Sequence, residues 1–153
     1  MLDVFWVRTV AGCSIPVTLQ DMEDLRRQDV SAVLTLTEHA LPPAFLHGFV
    51  SRHIPIRDFS APRIHQLHQC VQFLDECTDQ GLSPVVHCTM GRGRTGTVLA
   101  AWLIAHGTSV SDAIDEVRAV RDGAIETESQ ESILYDFEID VRGTHDRNQS
   151  SGS

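Results

Sequence analysis

The sequence predicts a single α/β domain: a central, mostly parallel sheet flanked by helices, with a phosphate-binding loop between a strand and a helix. Three observations carry this expectation. Short apolar runs alternate with segments whose apolar residues recur every three or four positions. The 153-residue chain is 42% hydrophobic, enough for one core and too short for two ordinary domains. A glycine-rich turn, Gly91-Arg92-Gly93, follows the apolar run Val85-Val86-His87 and precedes a helical pattern.

Taken in order, Leu2 to Arg8 reads as a strand, Leu19 to Gln28 as a helix, and Ala32 to Thr37 as a second strand. Ala11-Gly12-Cys13-Ser14 between the first two reads as a loop. Arg52 to Ile56 is another strand, and Ile64 to Cys77 has the spacing of an amphipathic helix. Ser83-Pro84 breaks that helix, Val85-Val86-His87 is a short buried strand, and a helix starts at Thr95. Its apolar run, Val98 to Ala105, is too short to span a bilayer and reads as a buried helix behind the loop. Ser111 is the expected cap of a helix carrying Ala113, Ile114, Val117 and Val120. Ile133, Leu134, Phe137 and Val141 mark the last helix. The folded domain is expected over residues 1–142. Residues 143–153, polar with nothing to bury, are expected to form a disordered tail.

The chemistry concentrates at residues 85–97. Gly91 and Gly93 let the backbone fold back so that several amides point at one centre, an arrangement that binds anions. The positive end of the following helix faces the same centre. A thiol there has its pKa lowered from about 8.5 into the range of roughly 3.5–7.5, which makes Cys88 the expected nucleophile. The planar guanidinium of Arg94 grips two phosphate oxygens at once, which a lysine cannot do. The expected phosphate-binding loop is therefore Thr89, Met90, Gly91, Arg92, Gly93 and Arg94. His87 is expected to order the loop through its ring nitrogens, and Thr95 to donate a hydrogen bond to the Cys88 sulfur. The alternative for Cys88 is a buried structural thiol, which explains neither the glycines nor Arg94.

Two other residues keep two readings each. Asp58 suits a general acid that protonates the leaving oxygen of a phosphate ester, with Phe59 desolvating it and Arg57 opposing that effect. It equally suits a surface pair with Arg57. Gln130, three residues after Thr127, fits a capping box at a helix start.

The run His87-Cys88-x5-Arg94-Thr95-Gly96 resembles the signature of the cysteine-dependent protein tyrosine phosphatase superfamily. Ile54 to Pro62, with Asp58 thirty residues before Cys88, is similar to the general-acid loop of its small dual-specificity members. The segments Val10 to Gly12, Val33 to Glu38 and Gly123 to Glu131 extend the resemblance over nearly the whole chain. It implies a protein tyrosine phosphatase-like fold and a phosphatase acting on phosphotyrosine and phosphoserine or phosphothreonine through a phosphocysteine on Cys88. It also implies Asp58 as general acid and base, Gln130 as a water-positioning residue, and no cofactor. Arg92 stands where many members carry an uncharged residue. This loosely resembles phosphatases of phosphoinositides and inositol phosphates, although a solvent-facing arginine is the preferred reading of Arg92; a phosphorylated small molecule is the alternative substrate, a phosphoprotein-binding scaffold another reading, and an RNA 5′-end phosphatase a third. No docking domain is read ahead of the catalytic one.

Composition excludes other classes. A net charge of −9 argues against general nucleic-acid binding. His65, His68 and Cys70 lack a complete ligand set at a recognised spacing, so no metal site is expected. Cys70 and Cys77 are expected to face the core. Cys13 is the freest thiol and the one candidate to trap an oxidised Cys88, although a plain loop or core cysteine is the preferred reading. The N-terminal run has no basic leader, so no signal peptide and no membrane insertion are expected. A monomer in the cytoplasm or nucleus is the expectation, with Asn148-Gln149-Ser150 an idle sequon.

Overall fold

The computed structural model describes residues 2–150. Five strands form one sheet: β1 (Val4–Val7), β2 (Val10–Cys13), β3 (Ala32–Thr35), β4 (Val50–His53) and β5 (Pro84–His87). Their spatial order is β1-β2-β5-β3-β4; β1 and β2 are antiparallel and the other neighbours are parallel. The helices are α1 (Leu19–Arg27), α2 (Ile64–Asp79), α3 (Gly93–Ala105), α4 (Val110–Val120) and α5 (Glu128–Ser150), with a 3-10 turn at Pro43–Leu46.

The sheet separates two cores. On one face Leu34 and Val86 meet Leu67, Leu74, Leu99, Leu103, Leu134 and Phe137 from α2, α3 and α5. On the other, Ala11, Cys13, Val33 and Val85 pack with Met22 and Leu25 of α1. The middle strands β2, β3 and β5 are buried throughout, as expected for parallel strands covered on both faces. The edge strand β4 is exposed along its length and carries Arg52 and His53, which blunt the open edge.

Four local readings change. Ala11-Gly12-Cys13 lies not in a loop but in β2, between β1 and β5. A Cβ on Gly12 would lie 2.4 Å from the Phe5 ring, so the glycine marks a close approach within a strand, a pattern that reads as a loop in sequence. Helix α4 is capped by Ser109, whose hydroxyl accepts from the Asp112 amide at 3.2 Å, rather than by Ser111. Helix α3 begins at Gly93, two residues before Thr95, so both Arg94 and Thr95 are helical. Helix α5 runs through Gly143 to Ser150, where the sequence places a disordered tail. An internal glycine costs a formed helix only about 1 kcal/mol, and no proline follows to stop propagation. Residues 151–153 lie outside the described residues.

Candidate active site

The site lies where β5 and β3 end and α3 begins, at the C-terminal edge of the parallel strands. Cys88 follows β5 directly and is buried, 3% exposed. The Thr95 hydroxyl donates to its sulfur at 3.0 Å.

Three loop carbonyls are tied to groups outside the loop. The Ile15 amide donates to Thr89 O at 2.9 Å; Arg121 donates from Nη2 to Met90 O at 2.6 Å and from Nε to Gly91 O at 3.2 Å. In a trans peptide the N–H points opposite to the C=O. Tying these three carbonyls outward therefore turns the amides of Met90, Gly91 and Arg92 inward. Gly91 is required for this path. Its φ is +72°, and a Cβ there would lie 2.6 Å from the backbone of Cys13. Arg121 is anchored in turn by the Asp3 carboxylate and lies over the Phe5 ring, 5.3 Å from its centroid.

Arg94 is 1% exposed. Nη1 donates to Ile56 O at 2.8 Å and to Glu38 Oε1 at 2.6 Å; Nη2 donates to Thr89 Oγ1 at 3.0 Å and lies 3.3 Å from Asp58 Oδ1. Nε is buried with no hydrogen-bond partner among the described residues. A buried charged donor left unsatisfied costs about 1–3 kcal/mol or more, so this atom is suited to an incoming oxyanion.

Asp58 is exposed at the tip of its loop and pairs with Arg94, not with Arg57. Its Oδ1 also accepts from the Phe59 amide at 2.9 Å. Phe59 is 63% exposed.

His87, the last residue of β5, is fully buried opposite Thr35 of β3. Nδ1 faces the Cys88 carbonyl at 3.1 Å and Nε2 faces the Thr35 hydroxyl at 2.9 Å. A carbonyl only accepts, so Nδ1 carries the proton and Nε2 accepts from Thr35. Burial pushes the imidazole down to about 4, so it is neutral at physiological pH.

Gln130 makes the capping box read from the sequence: its amide donates to Thr127 Oγ1 at 3.1 Å and its Oε1 accepts from the Thr127 amide at 3.2 Å. It is also 1% exposed, and a Cβ on Gly93 would lie 3.0 Å from its Oε1. Its Nε2 donates to Ser60 O at 3.2 Å, which ties the loop carrying Asp58 to the start of α5.

The structure thus brings Cys88, Arg94, Thr95, His87, Asp58 and Gln130 together around the loop at residues 89–93. Arg92 is exposed, with its stem along Gly123, and the Met90 side chain is 54% exposed. Two contributors carried no role in the sequence reading. Glu38 follows β3, and an acid just past the C-terminal end of a buried parallel strand was the available signal. Its own amide first, and then the Arg94 guanidinium, hold its carboxyl below the ordinary carboxylate range. Arg121 ends α4, and no local pattern distinguishes it from a solvent-facing arginine.

Cys13 is register-paired with His87 and close enough to Cys88 to act on it electrostatically, but the two thiols point to opposite sides of the sheet. Cys13 packs in the α1-side core and Cys88 in the core on the opposite face, which disfavours a disulfide between them. Burial raises the Cys13 pKa far above its ordinary value and pushes Cys70 up to about 12. Of the remaining acids and histidines, Asp75 accepts from Trp102 Nε1 at 3.1 Å and pairs with His106, while His68 pairs with Asp140. Among the described residues no group of three or more metal-ligating side chains comes together.

A family model described as a polymorphic toxin system DSP-PTPase phosphatase matches residues 11–108. The chain belongs to the dual-specificity phosphatase family. Dual specificity protein phosphatase 1B of Arabidopsis thaliana is 31% identical over 121 residues, covering 78% of this chain and 72% of its own. Phosphatidylglycerophosphate phosphatase PTPMT2, also of Arabidopsis thaliana, is 33% identical over 125 residues, 77% of this chain. The chain spans 55% of PTPMT2, a little over half its length. Among solved structures, Tk-PTP in its active form is 34% identical with a TM-score of 0.79, covering 84% of this chain and 90% of that one. PTPMT1, at 22% identity, shares the fold with a TM-score of 0.85, covering 94% of this chain and 99% of that one. No helix among the described residues is long and apolar enough to cross a membrane.

Proposed function

We propose that the protein hydrolyses phosphate monoesters of tyrosine and of serine or threonine, in two displacements at Cys88. In the first, the sulfur attacks phosphorus while the inward amides of the loop and Arg94 hold the equatorial oxygens. The ester P–O bond breaks as Asp58 passes a proton to the departing oxygen. In the second, Asp58 takes a proton from water, the water oxygen bonds phosphorus, and the P–S bond breaks with Thr95 stabilising the charge returning to sulfur. Gln130, against Gly93 and the acid loop, is the proposed positioner of that water. His87 stays neutral and acts only by holding the Cys88 carbonyl.

The observation that carries this reading is Arg94 Nε, a buried donor without a partner among the described residues, beside a cysteine whose sulfur already accepts a hydrogen bond. Four free thiols support a reducing compartment such as the cytoplasm or nucleus.

A second reading, a phosphoinositide or inositol phosphate as substrate, is favoured by Arg92, an exposed cation on the loop itself. The relative named for phosphatidylglycerophosphate points the same way.

Hydrolysis of a small aryl phosphate by reduced, metal-free protein across pH tests the mechanism. Cys88→Ser abolishes turnover, and Asp58→Ala removes the basic limb of the profile. A wild-type protein that binds phosphopeptides without hydrolysing any ester overturns the enzyme reading. Turnover of inositol phosphates lost in Arg92→Ala, with peptides unaffected, establishes the second reading.

A further inference from the structure

Beside the phosphate loop lies a largely apolar cleft of about 480 Å³ that the two displacements leave unused. Ile15, Pro16 and Val17, which follow β2, form one side, and Leu41, Pro42 and Phe45, which lie beyond β3, form the other. Thr89 and Glu38 also line it, and both are partners of Arg94. Nη2 donates to Thr89 Oγ1 at 3.0 Å and Nη1 to Glu38 Oε1 at 2.6 Å. The cleft therefore adjoins the guanidinium that receives the phosphate.

Its walls are pinned before anything binds. The Ile15 amide donates to Thr89 O at 2.9 Å, and the Phe45 amide to Pro42 O at 2.9 Å. The Thr37 hydroxyl donates to His39 O at 2.7 Å, and His53 Nε2 donates to Thr37 O at 2.6 Å, since a carbonyl only accepts. Ile15 and Phe45 pack on the α1-side core, and Pro16 and Pro42 fix their own backbone φ. A preformed cleft of this kind costs little ordering when it is filled. Val17 is 72% exposed, so the wall keeps apolar surface in water that an occupant would cover.

The lining holds one carboxylate, Glu38, and no arginine, in a chain of net charge −9. An anionic group or an anionic bilayer gains nothing from such a surface, whereas an uncharged apolar group does. A group carried on the ester itself reaches the cleft once its phosphate is on Arg94. In an extended peptide, side chains two residues apart share a face and stand about 6.5 Å from each other. A phosphorylated residue directed at Cys88 thus turns the residues two before and two after it toward the same protein surface. We infer that the cleft receives an apolar side chain two positions from the phosphorylated residue of a peptide substrate. This rests on the phosphatase reading and narrows its substrate class to phosphorylated segments with a leucine-sized residue at that place.

The test compares kcat/KM for phosphotyrosine peptides that differ only in leucine or its near-isostere asparagine, set two residues before or two after the phosphotyrosine. Wild type prefers leucine by about tenfold or more at one of the two positions, mainly through KM. The position that shows it gives the direction of the bound chain. Val17→Asp puts a charge in the apolar wall, and Ala40→Trp fills the cleft from an exposed lining position; each brings the ratio to near unity. Both peptides carry the same ester, so the ratio is blind to changes in nucleophile or proton transfer. The inference is overturned if wild type shows no preference at either position, or if a folded variant keeps it. A ratio of unity together with a short-chain phosphatidylinositol phosphate hydrolysed at least about tenfold faster than its soluble inositol phosphate also overturns it, and gives the cleft to an acyl chain. If wild type hydrolyses none of these esters, the phosphatase reading falls by itself. Fluorescence anisotropy of the same peptides then judges the cleft: leucine bound about tenfold tighter than asparagine upholds it, and equal affinity overturns it.

Discussion

Replacing Arg121 by methionine tests whether the outward carbonyls create the anion site. Methionine keeps a flexible stem against Phe5 but removes both donors to Met90 O and Gly91 O. The Arg121 side chain is 11% exposed, so each bond is shielded enough to count, whereas the Asp3 carboxylate is 62% exposed and its pairing adds little. Hydrogen bonds to charged groups contribute about 1.5–3 kcal/mol each, and the longer of the two sits at or below the low end. The expected loss in unfolding free energy is about 2–3 kcal/mol, or roughly 4–12 °C in Tm for a chain of this size. The functional effect is separate. With Met90 O and Gly91 O released, the peptides rotate and present oxygen to the phosphate, so the inhibition constant of arsenate rises about tenfold or more. Arg121→Lys, with one donor centre, falls between. Urea unfolding and arsenate inhibition are measured on the same preparations. A methionine variant that loses stability but keeps its arsenate constant within twofold refutes the reasoning, because Arg121 would then be a tie between elements and not a device for aiming amides.

Three further outcomes are expected. Gly91→Ala places a Cβ against the Cys13 backbone in a left-handed conformation; strain plus overpacking costs about 2–5 kcal/mol, read by urea denaturation, and aryl phosphate turnover falls with it. Thr95→Val keeps the shape but leaves the sulfur without its donor; kcat falls about tenfold or more, and rapid-quench sampling finds phosphoenzyme accumulating as breakdown slows. The third concerns His87, which is held neutral with a pKa of about 4. The unfolded chain takes up that proton below about pH 6.5 and the folded one does not, so stability is fully present above pH 6.5 and declines toward pH 4. Between pH 7 and pH 5 the contribution lost is about 2 kcal/mol at most, and His87→Gln flattens the urea-midpoint profile over that window by a corresponding amount.

The part of the site that is local in sequence was legible there. A strand, a turn needing glycine and a helix start put Cys88, the loop and Arg94 within seven residues, and backbone geometry alone brings them to one centre. What sequence leaves out is long-range. Glu38 reaches Arg94 across 56 positions and Arg121 reaches Met90 across 31, and neither is marked by periodicity or spacing. The same holds for β2. Gly12 is dictated by the Phe5 ring above it, a demand that exists only in the assembled sheet. For Gln130 the structure shows the capping box, and the same side-chain amide also donates to Ser60 O in the loop that carries Asp58.

Helix α3 is buried from Gly93 to Ile104, and Arg94 and Thr95 belong to its first turn. Amide hydrogen exchange there is expected to require global unfolding, whereas Arg57, Asp58 and Phe59 lie on an exposed loop open to local excursions and to proteases. The two halves of the chemistry therefore sit at opposite ends of the protection scale. If Asp58 is the proton donor proposed above, a single nick within residues 57–61 would silence proton transfer while the oxyanion receptor, built on the most protected element, survived. Limited proteolysis would convert a turnover enzyme into a phosphate trap without unfolding it.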